Sequence, residues 1–531
     1  MRYRDVYEQG KTSQRQQIPG REDQVKNSAG GFVFEIGPFE RLGRFLVLGS
    51  EGPTFYASAR KLTLQNASCV RECLRQDGPR AVETIVDVSH NGRAPKNDPA
   101  IFALAMAIRY GDDATRAAAY RAVPLVCRIP THVFNLLEDL KALGKGWSRG
   151  LRNAISNVYN KDPDTLAYHL VKYRQRAGWT HRDVLRMAHV KPESEAHNIL
   201  FDWAVNGWPD IGPEPHPAKS AQMVWAYERA RRAEGVSEIV KLITDYKLPW
   251  EALDSKWLRE PDVWAALLPG MPLTAMIRNL GRMTHNGLLA PFSDAVDVVI
   301  TKLSNGEHLR RSRVHPLTVL IAQRIYAQGY GMRGSLTWSP VPRVINALDD
   351  AFYLSFGNVT PTGKNTLLAL DVSGSMGFGK ISGMPITPRE ASAAMAMLAV
   401  RTEPKTLVLG FSHELVEIPL SRHQRLDDVV SRVSRMNFGA TDCALPMLAA
   451  MDRKTPVESF VIYTDNETWF GDMHPVQALD RYQKAMNIPA KVVVVGMTAT
   501  EFSIADPTRG DMLDVVGFDT AAPMVMNNFL R

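Results

Sequence analysis

The hydrophobic residues of this chain follow one spacing before residue 361 and another after it. Between about 40 and 330 they recur every three or four residues, as in amphipathic helices. The run from Asp98-Pro99 to Gly111 is an example, with an N-cap, a proline in the first turn and a terminating glycine. Further helices are predicted at 219–234, 236–246, 272–284, 292–304 and 316–328, and a short strand at 32–36. A long succession of helices favours an α-solenoid over a bundle.

After residue 361, short apolar runs alternate with helical patterns. Strands are predicted at 366–371, 406–411, 459–465 and 491–496, and helices at 388–400, 425–435, 441–451 and 475–486. Alternating strands and helices indicate a doubly wound α/β fold, in which a parallel sheet is covered on both faces. We therefore predict a helical-repeat domain at 1–360 and an α/β domain at 361–531.

The charges differ between these two parts. Residues 361–531 carry 16 Lys and Arg against 19 Asp and Glu, whereas residues 1–360 carry 47 against 37. A basic helical domain beside a mildly acidic one suggests that the helical part meets a polyanion.

Cysteine content and hydropathy bear on the cellular compartment. Four cysteines in 531 residues do not make a disulfide framework, and we expect buried free thiols. The first residues have no apolar core typical of a signal peptide, and no apolar run approaches the roughly 20 residues that span a bilayer. We expect a cytoplasmic protein in a reducing compartment, with no membrane partner.

The candidate chemistry begins where the first strand of the α/β domain ends. Asp371, Ser373 and Ser375 follow an apolar run, Thr441 opens a later helical segment, and Asp465 ends another strand. Such hard oxygen ligands suit Mg²⁺, with Ca²⁺ as the alternative. The five residues match the metal-ion-dependent adhesion site of von Willebrand factor A domains. Two carboxylates leave the cation open to a partner's carboxylate or phosphate, which favours docking over catalysis.

Other interpretations of this loop stay open. A phosphoaspartyl nucleophile typically has a second acid two residues on, where this chain has Ser373, and a nucleophilic serine lacks an evident histidine base. A capped loop without metal is the simplest alternative. The Gly-x-Gly-x-x-Gly at 329–334 follows a helical run rather than a strand, so we reject it as a dinucleotide fingerprint.

Basic and aromatic residues interleave in the helical domain. Lys145, Arg149 and Arg152 surround Trp147, while Lys172 and Arg176 are predicted four apart on one helix, with His189 on the next. Cations along helices can neutralise phosphates, and aromatic rings can stack on unpaired bases. For any one cluster, a solvated helix face is the simpler interpretation.

Longer segments make the chain resemble the Ro autoantigen family, and in particular its bacterial members. This family joins a TROVE module to a von Willebrand A domain. The resemblance rests on segments spread over nearly the whole chain: 24–31, 172–192, 277–284, 315–338, 347–353, 371–376 and 441–447.

The resemblance implies a ring of HEAT-like helical repeats that the A domain closes, in a protein that binds RNA without catalysing a reaction. Y-like small RNA would bind the outer surface through Lys172, Arg176 and His189, and single-stranded 3′ ends of misfolded or precursor RNA would enter the hole. A 3′→5′ exoribonuclease such as polynucleotide phosphorylase would act with the protein in RNA quality control. We expect a monomer. The rival hypotheses are a metal-dependent protein-adhesion scaffold without RNA and a phosphohydrolase.

Overall fold

The computed structural model describes most of the chain. The described residues are 11–48, 67–94, 96–208, 210–312, 314–332, 334–356, 361–378, 386–436, 439–498, 500–516 and 522–531. Position 333, within the glycine motif, and positions 357–360, at the predicted domain boundary, lie outside them.

The part before residue 357 is a succession of helices. They are α1 (Pro38–Leu48), α2 (Ser68–His90), α3 (Asp98–Tyr110), α4 (Asp113–Val126), α5 (Pro130–Ala142), α6 (Arg149–Tyr159), α7 (Pro163–Lys172), α8 (His181–Ala188), α9 (Glu195–Asn206), α10 (Gln222–Ala230), α11 (Val236–Tyr246), α12 (Pro261–Leu267), α13 (Leu273–His285), α14 (Asp294–Ser304), α15 (Gly306–Arg311), α16 (Pro316–Gln328) and α17 (Pro342–Leu354). Several of these helices begin at a polar N-cap residue. At the start of α6, for example, the Ser148 side chain accepts a hydrogen bond from the Leu151 amide. Neighbouring helices pack pairwise along the array, as the helical spacing predicted.

The α/β part is built around a six-stranded sheet. Its strands are β5 (Thr366–Asp371), β6 (Thr406–Phe411), β7 (Leu415–Glu417), β8 (Ser459–Thr464), β9 (Lys491–Gly496) and β11 (Met512–Val516), and its helices are α18 (Pro388–Thr402), α19 (Leu426–Ser434), α20 (Leu445–Asp452), α21 (Pro475–Met486) and α22 (Ala522–Leu530). The strand order is β11-β9-β8-β5-β6-β7, parallel except for the antiparallel edge strand β7. The predicted helix at 441–451 begins only at Leu445, so Thr441 lies in a loop.

Alternate residues of the central strands face two different cores. Leu368 and Leu370 of β5 join a core that continues into the helical array, whereas Leu367 and Ala369 pack with residues of α20 and α21. The sheet is therefore covered on both faces, as predicted. The helical array with a doubly wound α/β domain is confirmed, while closure of the array into a ring stays a prediction.

The N-terminal segment extends onto the α/β domain. Strand β1 (Gln24–Lys26) pairs with β2 (Phe32–Glu35), and β2 pairs with β10 (Phe502–Ser503), which closes a small antiparallel sheet. Val33 and Phe34 are buried in the core that holds α20 and α21. Residues 11–36, which we call the N-terminal strap, therefore pack on the distant C-terminal part.

A short hairpin replaces part of one predicted helix. Helix α7 ends at Lys172, and β3 (Gln175–Arg176) pairs with β4 (Trp179–Thr180). The turn residues Ala177 and Gly178 both have positive φ, the geometry of a tight two-residue hairpin turn. The prediction that Lys172 and Arg176 share a helix is therefore wrong, because the chain reverses direction between them. His189 also lies outside its predicted helix, capping α8 with a φ of 52°.

Candidate functional site

The predicted metal ligands meet at one edge of the six-stranded sheet. Strands β5 and β8 are parallel neighbours, so Asp371 at the end of β5 and Asp465 just after β8 lie side by side. Thr441 reaches the same edge because the amide of the next residue, Asp442, donates to the Ser412 carbonyl beyond the end of β6, 2.9 Å away. The structure thus brings together strand ends that lie almost a hundred residues apart in the sequence.

The loop after β5 holds its hydroxyls close together. The Oγ atoms of Ser373 and Ser375 are 3.0 Å apart, and the Ser373 amide donates to Asp371 Oδ1 at 2.9 Å. Arg389 of α18 supports the loop, because its guanidinium donates to the carbonyl oxygens of Val372 and Ser373. Arg389 was not among the predicted site residues. The one local signal beside it is Thr387, the helix N-cap two residues earlier.

Both carboxyl groups are fully buried, and their negative charges repel each other. Burial, followed by the charge of Asp465, raises the pKa of Asp371, and burial raises the pKa of Asp465. Thr464 Oγ1 donates to Asp371 Oδ2 at 2.8 Å, whereas Asp465 Oδ2 is buried without a hydrogen-bond partner among the described residues. Two buried anions with an unsatisfied oxygen and two adjacent hydroxyls fit a hard divalent cation.

The described part of the chain contains no cluster of three or more His, Cys, Asp or Glu side chains that could hold a metal ion. The candidate centre has two carboxylates, and hydroxyls supply its other oxygens. If a cation bound here, Asp371, Ser373, Ser375, Thr441 and Asp465 would hold it, and it would supply a positive charge for a partner's anionic group.

The N-terminal strap contacts the loops of this edge, a contact that was not predicted from the sequence. Gln14 Nε2 donates to Asp442 Oδ1 at 2.6 Å and to the Met473 carbonyl at 2.9 Å. Asn27 Nδ2 donates to the Thr468 carbonyl at 2.7 Å. Gly31 lies so close to Thr468 that a Cβ atom at position 31 would be 1.9 Å from its carbonyl oxygen. No local pattern in the sequence pairs these segments, because more than 400 residues separate them.

The basic residues form a second candidate site on the helical domain. The β3–β4 hairpin packs against α5, and the ring of Trp179 contacts that of Trp147, with 6.4 Å between the ring centroids. Arg176 is paired with Trp179 across the hairpin and is exposed. Trp147 lies between Lys145 and Arg149 in the sequence, so its contact with Trp179 joins the segment of these two cations to the hairpin that carries Arg176. Arg149 is exposed and Lys145 half-buried.

The remaining predicted RNA contacts differ in their surroundings. Arg152 is half-buried on α6, and its Nε atom has no partner among the described residues. His189 is exposed at the end of α8, a helix that packs against both α6 and β4. Arg152 thus lies one helical turn after Arg149, and His189 ends a helix that contacts the helix of Arg149 and the hairpin of Arg176.

Lys172 is held inside the fold rather than presented to solvent. Its side chain is 8% exposed, its Nζ donates to the Tyr168 hydroxyl at 2.9 Å, and Glu251 Oε1 lies 3.7 Å away. Burial raises the pKa of Glu251, and the nearby Lys172 charge partly offsets that rise. The structure thus separates Lys172 from the exposed cations.

Comparison with known proteins places both domains in one family. The TROVE domain model matches residues 25–207 and 243–325, and the Ro60 vWA domain model matches 365–530. The RNA-binding protein RO60 of Deinococcus radiodurans is 44% identical over 96% of this chain and 96% of its own length. The RNA-binding protein RO60 of Caenorhabditis elegans is 35% identical over 97% of this chain and 91% of its own length.

A solved structure agrees with these sequence comparisons. The crystal structure of the Deinococcus radiodurans RO (RSR) protein superposes with a TM-score of 0.71 at 44% identity, covering 93% of this chain and 99% of that one. Helices of the length and apolar character needed to cross a bilayer are absent from the described residues. The chain therefore belongs to the Ro60 family, with a TROVE domain followed by a Ro60 von Willebrand A domain.

Proposed function

We propose that this protein binds RNA without catalysis and acts in RNA quality control and processing. The support is its similarity to two relatives that are named RNA-binding proteins, together with the exposed cations that the hairpin assembles. Exposed guanidinium groups next to aromatic rings suit the backbone and unpaired bases of RNA. The single observation that carries the proposal is the packing of Trp179 on Trp147, which joins the hairpin of Arg176 to the segment that carries Lys145 and Arg149.

A Y-like small RNA would bind this surface. Arg149, Arg176 and His189 are exposed and would contact phosphates directly. Arg152 is half-buried with its Nε atom shielded from solvent, so it would contribute its charge from beneath this surface. Lys172 would act in a different way from the others. Because its ammonium bonds Tyr168 and lies beside Glu251, it would support the hairpin surface from inside, or leave these partners when RNA binds.

Single-stranded 3′ ends of misfolded or precursor RNA would enter the hole of a helical ring. Contacts at both ends of the array support such a ring. Arg44 of α1 bonds Asp514 of β11, with 2.6 Å between Nη2 and Oδ2, and Asp349 of α17 accepts from the Leu426 amide at 3.2 Å. Both ends of the helical array therefore meet the A domain.

Further partners follow from the same proposal. A 3′→5′ exoribonuclease such as polynucleotide phosphorylase would process the RNA that this monomeric, cytoplasmic protein holds. The metal centre would bind Mg²⁺, or Ca²⁺, through the two buried carboxylates and adjacent hydroxyls, because a cation relieves their repulsion.

The RNA surface is tested by removing two exposed cations. Arg149→Gln together with Arg176→Gln should weaken binding of the small RNA that co-purifies with the wild-type chain by about tenfold. The salt dependence of the affinity should also become shallower, since fewer phosphates are neutralised. Gel-shift titrations at several salt concentrations measure both effects.

The matched control removes the same charge from the A domain. Arg453→Gln with Lys484→Gln changes two exposed side chains there and should leave RNA affinity unchanged. Equal affinity of the Arg149/Arg176 variant and the wild type would contradict the assignment of this surface.

Metal-dependent adhesion to a protein is a second candidate function. Phe378 and Phe470, which follow the metal loops, are 66% and 43% exposed. Exposed aromatic rings beside an open cation suit a partner that inserts a carboxylate between apolar contacts. This function predicts partner binding that EDTA abolishes, whereas RNA binding should survive EDTA.

A further inference from the structure

A pocket of about 840 Å³ lies between α13, α16 and the loop that follows α16. Helix α13 contributes Arg278, Arg282 and His285, which are exposed and spaced four and three residues apart on one face. Lys96, from the connection between α2 and α3, lines the same pocket. The volume falls within the roughly 300–1,000 Å³ of small-molecule sites. The pocket thus has the dimensions of a binding site and four basic side chains, three from one helix and one from a distant part of the chain.

Two of these positive charges, those of Arg278 and Arg282, are not neutralised from within the described part of the pocket. Its described lining contains no Asp or Glu. Within the described part of the chain, Arg278 and Arg282 make neither a hydrogen bond nor an ion pair. The charge of Arg278 acts weakly on Glu251, whose carboxylate lies beside Lys172 instead. His285 is oriented by its contact with the Thr337 carbonyl, 2.7 Å from Nδ1. Two unpaired guanidinium groups in a concave site favour a phosphate, which they can bind bidentately.

One wall of the pocket is apolar. Ile321, Ala322 and Ile325 of α16 form it, together with Leu336 and Trp338 of the loop. Such a wall suits a planar, poorly hydrated group rather than a bare inorganic anion.

The loop is held in place before any ligand binds. Trp338 Nε1 donates to the Tyr326 carbonyl at 3.0 Å, and the Trp338 amide donates to the Gly329 carbonyl at 2.8 Å. At Gly281 of α13, a Cβ atom would lie 2.7 Å from the Trp338 ring, so glycine permits the close approach. The wall is therefore preorganised, which lowers the cost of binding.

We propose that this pocket binds a nucleoside monophosphate. The phosphate is held by Arg278 and Arg282, and the base lies against the wall formed by Ile321, Ile325 and Trp338. The nucleotide comes either free from solution or as one unit of a single-stranded RNA. The second source rests on the proposed RNA-binding function, whereas the first does not depend on it.

The test uses the full chain and two probes, AMP in calorimetric titrations and a 5′-fluorescein-labelled single-stranded oligoadenylate in anisotropy titrations. Arg278→Gln with Arg282→Gln should weaken binding of the recognised probe at least tenfold, because both phosphate contacts are lost. The charge-matched control, Arg453→Gln with Lys484→Gln, should bind as the wild type does.

A second pair of variants leaves the arginines intact. Thr318→Glu places a carboxylate on the pocket wall, in the first turn of α16 where an acid is compatible with the helix, and should weaken binding as strongly as loss of the arginines. Thr318→Gln has nearly the same size without the charge and should retain most of the affinity.

The two probes separate the sources of the nucleotide. Binding of AMP in the pocket supports a free nucleotide, and oligoadenylate binding that depends on Arg278 and Arg282 without AMP binding supports a unit of an RNA strand. Binding of neither probe by the wild type, or unchanged binding by the Arg278/Arg282 variant, overturns the proposal. The proposed function still stands in that case if the structured RNA binds at the Arg149/Arg176 surface.

Discussion

At the scale of single residues, neighbours decide what an ionisable side chain can do. Lys172 and Arg176 are both basic residues of one short segment, yet Lys172 is 8% exposed beside Tyr168 and Glu251 while Arg176 is exposed. Lys172 is buried beside an opposite charge, whereas Asp371 and Asp465 are buried beside a like charge. A buried pair of carboxylates destabilises the fold unless a proton or a cation neutralises it.

The metal centre can be tested through stability at this scale. Mg²⁺ should raise the melting temperature of the wild type. At a Mg²⁺ concentration 100 times the dissociation constant, binding adds about 2.7 kcal/mol to the free energy of unfolding. Asp371→Asn should abolish this effect, and without metal it should be at least as stable as the wild type because the repulsion is gone. Thermal melts in EDTA, MgCl₂ and CaCl₂ measure both results.

Asp452→Asn is the matched control, since Asp452 is an exposed residue at the end of α20. This variant should respond to Mg²⁺ as the wild type does. A wild type whose melting temperature neither Mg²⁺ nor Ca²⁺ changes would refute the assignment of the five ligands.

At the scale of elements, partners distant in sequence decide where a segment lies. The N-terminal strap has little apolar content at its start, but Gln14 is fully buried against the loops that carry Asp442 and Thr468. Its amide nitrogen also bonds the Met473 carbonyl. One glutamine thereby joins three parts of the loop region beside the candidate metal centre.

Removing this glutamine should loosen the strap. Gln14→Ala should lower the free energy of unfolding by about 2–4 kcal/mol, because it leaves buried partners without hydrogen bonds. Chemical denaturation followed by circular dichroism measures the loss. Gln16→Ala, at an exposed position of the same strap, should change stability by less than about 0.5 kcal/mol. Equal stability of the two variants would show that the strap contributes little.

At the scale of the whole molecule, the A domain contacts both ends of the helical array. At the first end, Arg44 is 1% exposed and bonds Asp514, the Thr500 carbonyl and the Phe502 carbonyl. At the other, Arg401 of α18 lies 3.5 Å from Asp349 and stacks over the Tyr353 ring. Arginines that satisfy several acceptors make these joints specific, Arg44 from a buried position and Arg401 from a half-buried one.

Breaking the first joint should destabilise the molecule as a whole. Arg44→Met keeps the apolar stem but leaves the Asp514 carboxylate and two carbonyls without this donor, at a cost of about 3–5 kcal/mol. The midpoint of thermal unfolding should fall accordingly. Arg422→Met, at an exposed site of the A domain, is the control and should unfold as the wild type does. An unchanged midpoint for Arg44→Met would show that the two domains are stabilised independently of this joint.

The sequence by itself determined the type of each domain and the composition of the candidate metal centre. Helical spacing and strand–helix alternation are local patterns, so β5, β6 and β9 have the predicted bounds. Asp371 and Asp465 were recognisable because the first ends an apolar strand and the second directly follows one, and parallel neighbours bring such ends together.

Only the tertiary structure decided how distant segments meet. The β3–β4 hairpin replaced a predicted helix because packing of Trp179 on Trp147 and a two-residue turn outweighed a continuous helical pattern. The sequence likewise showed no sign of three other contacts. They are the packing of the strap on the loops of the candidate metal centre, the burial of Lys172 beside Glu251, and the pocket shared by Lys96 and Arg278. The physical reason is that periodicity records which face of an element is apolar, whereas the identity of its partner depends on contacts across the whole chain.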